Sequence, residues 1–480
     1  MKKIIFILAC LALTISSCDD WLDIKPKTNV EEEDLFRNEQ GFKEALTGIY
    51  IRMSEPDLYG REMTYGFMDI LAQRYFNNEN PDADYHEETW YTYPSVRTEG
   101  YTNKFWTVDY NLIANLNNLI RNIDLNGQVI RESYRDIIKG EALGLRSFLY
   151  FDLLRMYGPI YKENASSPAI PYRTQFNREV AKLLPASAVA DSIIVSLQQA
   201  EKLLENDPMN IAFPVSPYEI EDIDPFLNYR FNRMNKYAVK AELARVFLWK
   251  GDKANAYKYA KEVVEGKNAK GGRQFNLVTD NAQDPLCSTE LIFSLSMDSK
   301  YFKDRIQSEY QIAKWNFYVI LGNVDRLYQI FDTANDGQND MRMKSGLGFN
   351  ISAHGASCLK YRQENLASYA MENNMPLIRL PEMYYIMAEC TSDMQEAASY
   401  ISLVRGARGV DEVNLFKTEE ERMNHIEKEY RKEFYAEGQL WYFYKRQAYK
   451  TFMFCPIANM TEKNYRFSIP DDEVALGDIN

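Results

Sequence analysis

Groups that make or break covalent bonds are scarce in this chain, and none stands in an arrangement that catalysis needs. Only three histidines occur, His86, His354 and His425. None belongs to an H-E-x-x-H pair, whose i,i+4 spacing would set two imidazoles on one helical face around zinc. There is no G-x-S-x-G turn to present a nucleophilic serine, no P-loop and no G-x-G-x-x-G phosphate cradle. The run from Asp332 to Met343 imitates an EF-hand loop through Asp332, Asp336 and Gly337. It has Ala334 at the third position and Met343 where the bidentate glutamate belongs, so no calcium is assigned to it and no cofactor is expected. Asp and Glu together number 69, too many to single out a hydrolytic pair, which only spatial separation defines. The acidic runs 31–34 and 419–421 read as charges facing helix N-termini. These residues nominate no catalytic centre, although a glycosidase's carboxylate pair stays open.

What the sequence does offer is aromatic surface: 34 Tyr, 25 Phe and 6 Trp make 14% of the residues. One cluster holds Tyr75, Phe76, Tyr85, Trp90, Tyr91, Tyr93, Tyr101 and Trp106 among Asn, Asp and Glu; a second holds Tyr301, Phe302, Tyr310, Trp315, Phe317 and Tyr318. Aromatic faces stack on the C–H faces of sugars or on peptide side chains, while neighbouring amides and charges bond the polar edges. Any single ring here is core by default, but the clusters together read as a binding face. Trp90, Tyr91, Tyr93, Tyr301 and Trp315 are the candidate platforms, with Tyr75 beside them and Asp69 and Arg74 as polar partners.

The elements that must position these rings are helical. Apolar residues recur at helical spacing over 40–53, 105–123, 134–157, 189–204, 237–249, 254–264, 377–390, 394–404 and 419–445. Small residues at Ala241, Ala244, Ala256 and Ala260 let paired helices approach closely, which is the packing logic of tetratricopeptide units. Segments 76–103, 164–188, 206–235, 266–312 and 333–376 read as long loops, a length uncommon unless functional. The expected fold is an all-α, tetratricopeptide-like superhelix whose loop-rich excursions form a ligand-binding face.

The N-terminus directs the chain outward. Lys2 and Lys3 precede an apolar stretch from Ile4 to Ile15, then Ser16, Ser17 and Cys18. This is a secretory signal ending in a lipobox-like site, too short to span a bilayer. Residues 1–17 are the expected signal peptide, Cys18 the lipidated residue, 18–33 a polar tether and 34–480 the folded body. Lipid then anchors the protein to a membrane without a basic patch. A net charge of −13 and a pI near 5.1 disfavour nucleic acid as a partner. Cys287, Cys358, Cys390 and Cys455 are scattered too widely for a disulfide framework, so at most one bridge is expected.

Several blocks also resemble a known family. Cys18-Asp-Asp-Trp-Leu-Asp-Ile-Lys-Pro26, Leu46-Thr-Gly-Ile-Tyr50 and the stretch from Arg146 to Gly158-Pro159 are similar to the SusD/RagB family of outer-membrane nutrient-binding lipoproteins. The second half agrees through Leu377 to Glu389, Val404-Arg405, Arg408-Gly409, Glu429 to Phe434, Glu437-Gly438, Lys445-Arg446 and Phe467 to Pro470. Tyr430 and Tyr444 stand near positions where that family commonly has Arg and Asp. The resemblance implies an N-terminal SusD-like part over about 18–230 and a C-terminal SusD/RagB part over about 231–480. It also implies four tetratricopeptide-like helix pairs and a lipid-anchored protein on the outer face of a Gram-negative outer membrane. There it would capture oligosaccharide and deliver it to a SusC-like TonB-dependent porin. Peptide uptake in the manner of the RagB branch and a scaffold binding only proteins are the alternatives.

Overall fold

The computed structural model describes residues 32–75, 85–209, 224–306, 323–352 and 355–476. Its helices of eight residues or more are α1 (Glu39–Met53), α2 (Val96–Asn126), α3 (Glu132–Tyr157), α4 (Ala186–Leu203), α5 (Lys236–Lys250) and α6 (Lys253–Val264), then α7 (Val324–Phe331), α8 (Leu380–Cys390), α9 (Met394–Ala407), α10 (Glu419–Glu433) and α11 (Leu440–Gln447). Side chains fix many of their starts: Asn38, Ser95, Asn235, Asp252, Asp393 and Thr418 each accept a hydrogen bond from a first-turn N–H. Helices pack in succession, α2 on α3, α3 on α4, α4 on α5, α5 on α6, α6 on α8 and α8 on α9, which is the expected all-α superhelix. Gly251, at φ +81°, makes the left-handed turn between α5 and α6, and Ala241, Ala244, Ala256 and Ala260 are fully buried between helices.

Among the described residues, three two-stranded antiparallel sheets sit on this ladder: β1 (Pro168–Pro171) with β2 (Leu183–Pro185), β3 (Leu291–Ser296) with β6 (Asn374–Arg379), and β4 (Phe349–Ser352) with β5 (Gly355–Cys358). Beneath β3 and β6 lies a buried ion network. Arg379 and Arg408 bridge Glu290 and Glu433, Arg379 also reaches Glu437, and Arg342 joins Asp340, Glu429 and Glu433. Arg405, Lys432 and Lys360 complete it through Glu429, Asp336 and Glu437. Six cations thus meet six carboxylates. That balance is what allows so much charge to leave water.

Three expectations change. Residues 96–103 are the first turns of α2, not loop; they lack an apolar stripe, and the Ser95 cap starts the helix there. Residues 377–379 belong to β6, and α8 begins only at Leu380, where Pro381 occupies the first turn. The helix read as 419–445 is broken into α10 and α11, with Ala436 at φ 66° and Gly438 at φ 70° between them. Cys287, Cys358, Cys390 and Cys455 are all free thiols, which lies within the expectation of at most one bridge.

Candidate functional site

The break between α10 and α11 is built against a five-residue helix, Phe67–Leu71. Asp69 is fully buried there; its Oδ2 accepts the Ala436 N–H at 2.6 Å and its Oδ1 the Gly438 N–H at 2.9 Å. Burial pushes the Asp69 carboxyl up to about 7, opposed by the Arg74 guanidinium and those two N–H groups. Arg74 is buried too, donating to the Arg431 carbonyl and lying 5.5 Å from the centroid of the Tyr435 ring. Burial lowers its pKa. Tyr75 packs edge-on against Tyr435.

The next ring positions hang on the same joint. Gln73 Nε2 donates to the Thr89 carbonyl at 2.9 Å, Tyr91 donates to the Leu71 carbonyl, and Tyr93 donates to the Asn464 carbonyl at 2.6 Å. Between these anchored residues stands Trp90, 50% exposed and immediately after the short helix His86–Thr89. Asp69, Arg74, Tyr75, Tyr91 and Tyr93 are buried, so in this conformation they brace the face and offer it no surface. The clustering signal was real, but it came mostly from packing. Tyr301 is half-buried against the core, its N–H capped by Asp298 at 2.8 Å. Trp315 lies outside the described residues.

The structure adds residues that sequence reasoning missed. Tyr328 on α7 is 42% exposed, and Arg326 lies 4.7 Å from the centroid of the Phe454 ring. The periodicity of α7 could have revealed Tyr328, since Leu327, Ile330 and Phe331 turn inward and leave position 328 facing out. The loop 448–457 packs on α7 through that Arg326–Phe454 pair, and its Cys455 thiol donates to the Ile457 carbonyl at 3.4 Å. Phe452 stacks on Tyr444 with centroids 4.0 Å apart. Left-handed backbone gathers here at Gln73, Tyr85, Tyr91, Ala436, Ala448 and Phe454. Such conformations cost about 1–3 kcal/mol each in a residue with a Cβ, and they persist at sites where geometry is put to use.

The Asp332–Gly337 loop has its charges matched by protein groups: Asp332 accepts from Lys428 at 3.2 Å, and Asp336 pairs with Arg405 and Lys432. Among the described residues no cluster of three or more His, Cys, Asp or Glu is placed to hold a metal. Nor is any helix among them long and apolar enough to cross a membrane. Aromatic and cationic surface beside a braced backbone can bind a ligand by stacking and hydrogen bonding.

Comparison with known proteins agrees along the chain. A family model described as "Starch-binding associating with outer membrane" matches residues 20–217, and the model of the SusD family matches residues 289–473. SusD-like protein P38 of Formosa agariphila is 22% identical, the alignment covering 96% of this chain and 95% of that protein. A SusD-like carbohydrate binding protein from Bacteroides vulgatus superposes with a TM-score of 0.70 at 17% identity, over 91% of this chain and 96% of its own. A SusD superfamily protein from Bacteroides fragilis gives a TM-score of 0.70 at 18% identity, over 93% of this chain and all of its own.

Proposed function

The chain belongs to the SusD family, and from that premise we propose that it is a non-enzymatic, glycan-binding protein of the outer membrane. In this reading Cys18 carries the lipid, the folded body faces the cell exterior, and captured oligosaccharide passes to a SusC-like TonB-dependent porin. The observation that carries the binding function is Trp90, a half-exposed indole in a segment whose neighbouring rings are locked into the scaffold. An indole held rigidly loses little entropy when a pyranose face stacks on it. Tyr328 and the Arg326–Phe454 pair extend the same chemistry.

The test is a glycan array and a peptide library screened in parallel with the lipid-free mature chain beginning at Asp19, followed by calorimetry on the hit. Selective glycan binding that Trp90→Ala weakens by about 1–3 kcal/mol, with the melting temperature held, supports the reading. Binding confined to peptides moves the ligand to the RagB-like alternative. Hydrolysis of the glycan by the purified protein overturns the assignment as a binder. Copurification of a TonB-dependent barrel with the lipidated protein, lost on Cys18→Ala, tests the anchor and the partner.

A further inference from the structure

Outside the Trp90 face, α2, α3 and the loop 172–182 enclose a groove of about 290 Å3. Tyr110 and Tyr150 form its floor, their hydroxyls donating at 2.8 Å to the carbonyls of Pro171 and Arg173. Arg173, Phe176 and Arg178 form its outer wall, and Phe176 is 42% exposed.

Two buried groups at this groove are incompletely satisfied. Trp106 lines it at 2% exposure, and its Nε1–H has no acceptor among the described residues. A buried donor without a partner is rare enough that its acceptor is to be sought in a ligand or ordered water. Arg146, 5% exposed, lies behind the groove's Asn117: Nη1 donates to Asn117 Oδ1 at 2.8 Å and Nη2 to Ser196 Oγ at 3.4 Å, while Nε has no acceptor. No carboxylate acts on it; the ionisable groups near it are Tyr150 and Tyr172. Elsewhere this chain gives its buried arginines carboxylates, as at Arg230, Arg245, Arg379 and Arg408.

Arg173 repeats the pattern, donating to Asn177 of its own loop and to no carboxylate among the described residues. Glu179 and Glu473 also line the groove, and Glu179 already accepts from Asn177 at 3.4 Å. In a chain of net charge −13, Arg173 and Arg178 balance Glu179 and Glu473 around this groove, and Arg146 behind it, without a carboxylate, adds one positive charge.

We propose that this groove is a second ligand site, taking a carboxylate-bearing sugar unit of the uronic-acid kind. The carboxylate meets Arg173 and Arg178, the sugar face rests on Phe176 and Tyr110, and a ring hydroxyl accepts from Trp106 Nε1. The choice of a sugar over an acidic peptide rests on the glycan-capture reading.

The probes are trigalacturonic acid, its methyl ester, neutral galactotriose and triglutamate, each titrated into the lipid-free mature chain. Trigalacturonic acid is expected to bind, with about tenfold loss on esterification or on Arg173→Gln, because a charge-assisted hydrogen bond is removed. Phe176→Ala, at a half-exposed ring, is expected to weaken it several-fold at unchanged melting temperature, whereas Trp90→Ala leaves it unaltered. The last comparison separates this site from the Trp90 face. Absence of binding by the acid, equal binding of acid and methyl ester, or indifference to both groove variants overturns the proposal. Equal binding of triglutamate overturns the sugar assignment.

Discussion

Replacing Gly438 with alanine tests whether the joint between α10 and α11 depends on backbone approach. Gly438 has φ +70°, and a Cβ built on it falls 2.5 Å from the Met63 carbonyl oxygen and 2.8 Å from that of Thr64. The left-handed conformation alone costs alanine about 1–2 kcal/mol. Forcing a methyl against two backbone oxygens that are held by their own turn adds about 1–3 kcal/mol, since neither can rotate aside. Gly251 is the matched control: φ is +81°, yet nothing lies within 4 Å of its built Cβ. Gly438→Ala should therefore lose about 1–3 kcal/mol more than Gly251→Ala in urea titrations at constant m-value. Because the Gly438 N–H is held by Asp69, the Trp90-dependent ligand affinity should fall with Gly438→Ala and stay unchanged with Gly251→Ala. Equal destabilisation by the two substitutions would refute the close-approach argument.

Asp109 is fully buried with neither carboxylate oxygen hydrogen-bonded among the described residues, and burial with Asp152 nearby raises its pKa well above the usual range. An acid whose folded pKa is raised favours the native state at low pH, and that contribution is lost as pH rises from the unfolded value of about 4 through the folded one. Asp109→Asn should flatten stability between pH 4.5 and 8, read by urea titration; an unchanged slope would mean that other groups set it. Arg379→Ala strips a counter-charge from Glu290, Glu433 and Glu437 and should cost about 3–5 kcal/mol, because buried carboxylates are left unpaired. A loss under 1 kcal/mol by thermal or urea unfolding would show that water reaches the network. Burial raises the thiol pKa to about 11 at Cys358 and about 12 at Cys390, and upward at Cys287 and Cys455. Cys287 and Cys358, both buried, should resist a thiolate-selective reagent at pH 8 until denaturant is added, and their rapid native labelling would contradict that burial.

The helical periods were legible because each buried stripe is a local property of a few turns. Residues 134–157 and 237–264 needed nothing beyond their own apolar spacing and the Gly251-Asp252 stop. The family resemblance was legible for a related reason, since its blocks are short scaffold segments such as Glu429 to Phe434, whose charges now appear as partners of arginines far away in sequence. Where α10 ends was not legible. That break depends on the Asp69 carboxylate reaching the N–H groups of Ala436 and Gly438 from more than 360 positions away.

The same distinction governs the sites. An aromatic residue has one identity in sequence whether it is core or platform, and Tyr91, Trp90 and Tyr93 stand within four positions of each other with opposite fates. The sequence by itself determined the helical ladder and the abundance of rings. Only the tertiary structure decided which ring faces water, and which arginines, such as Arg146 and Arg173, were left without a carboxylate, because burial and pairing are properties of neighbours that the chain brings together from afar.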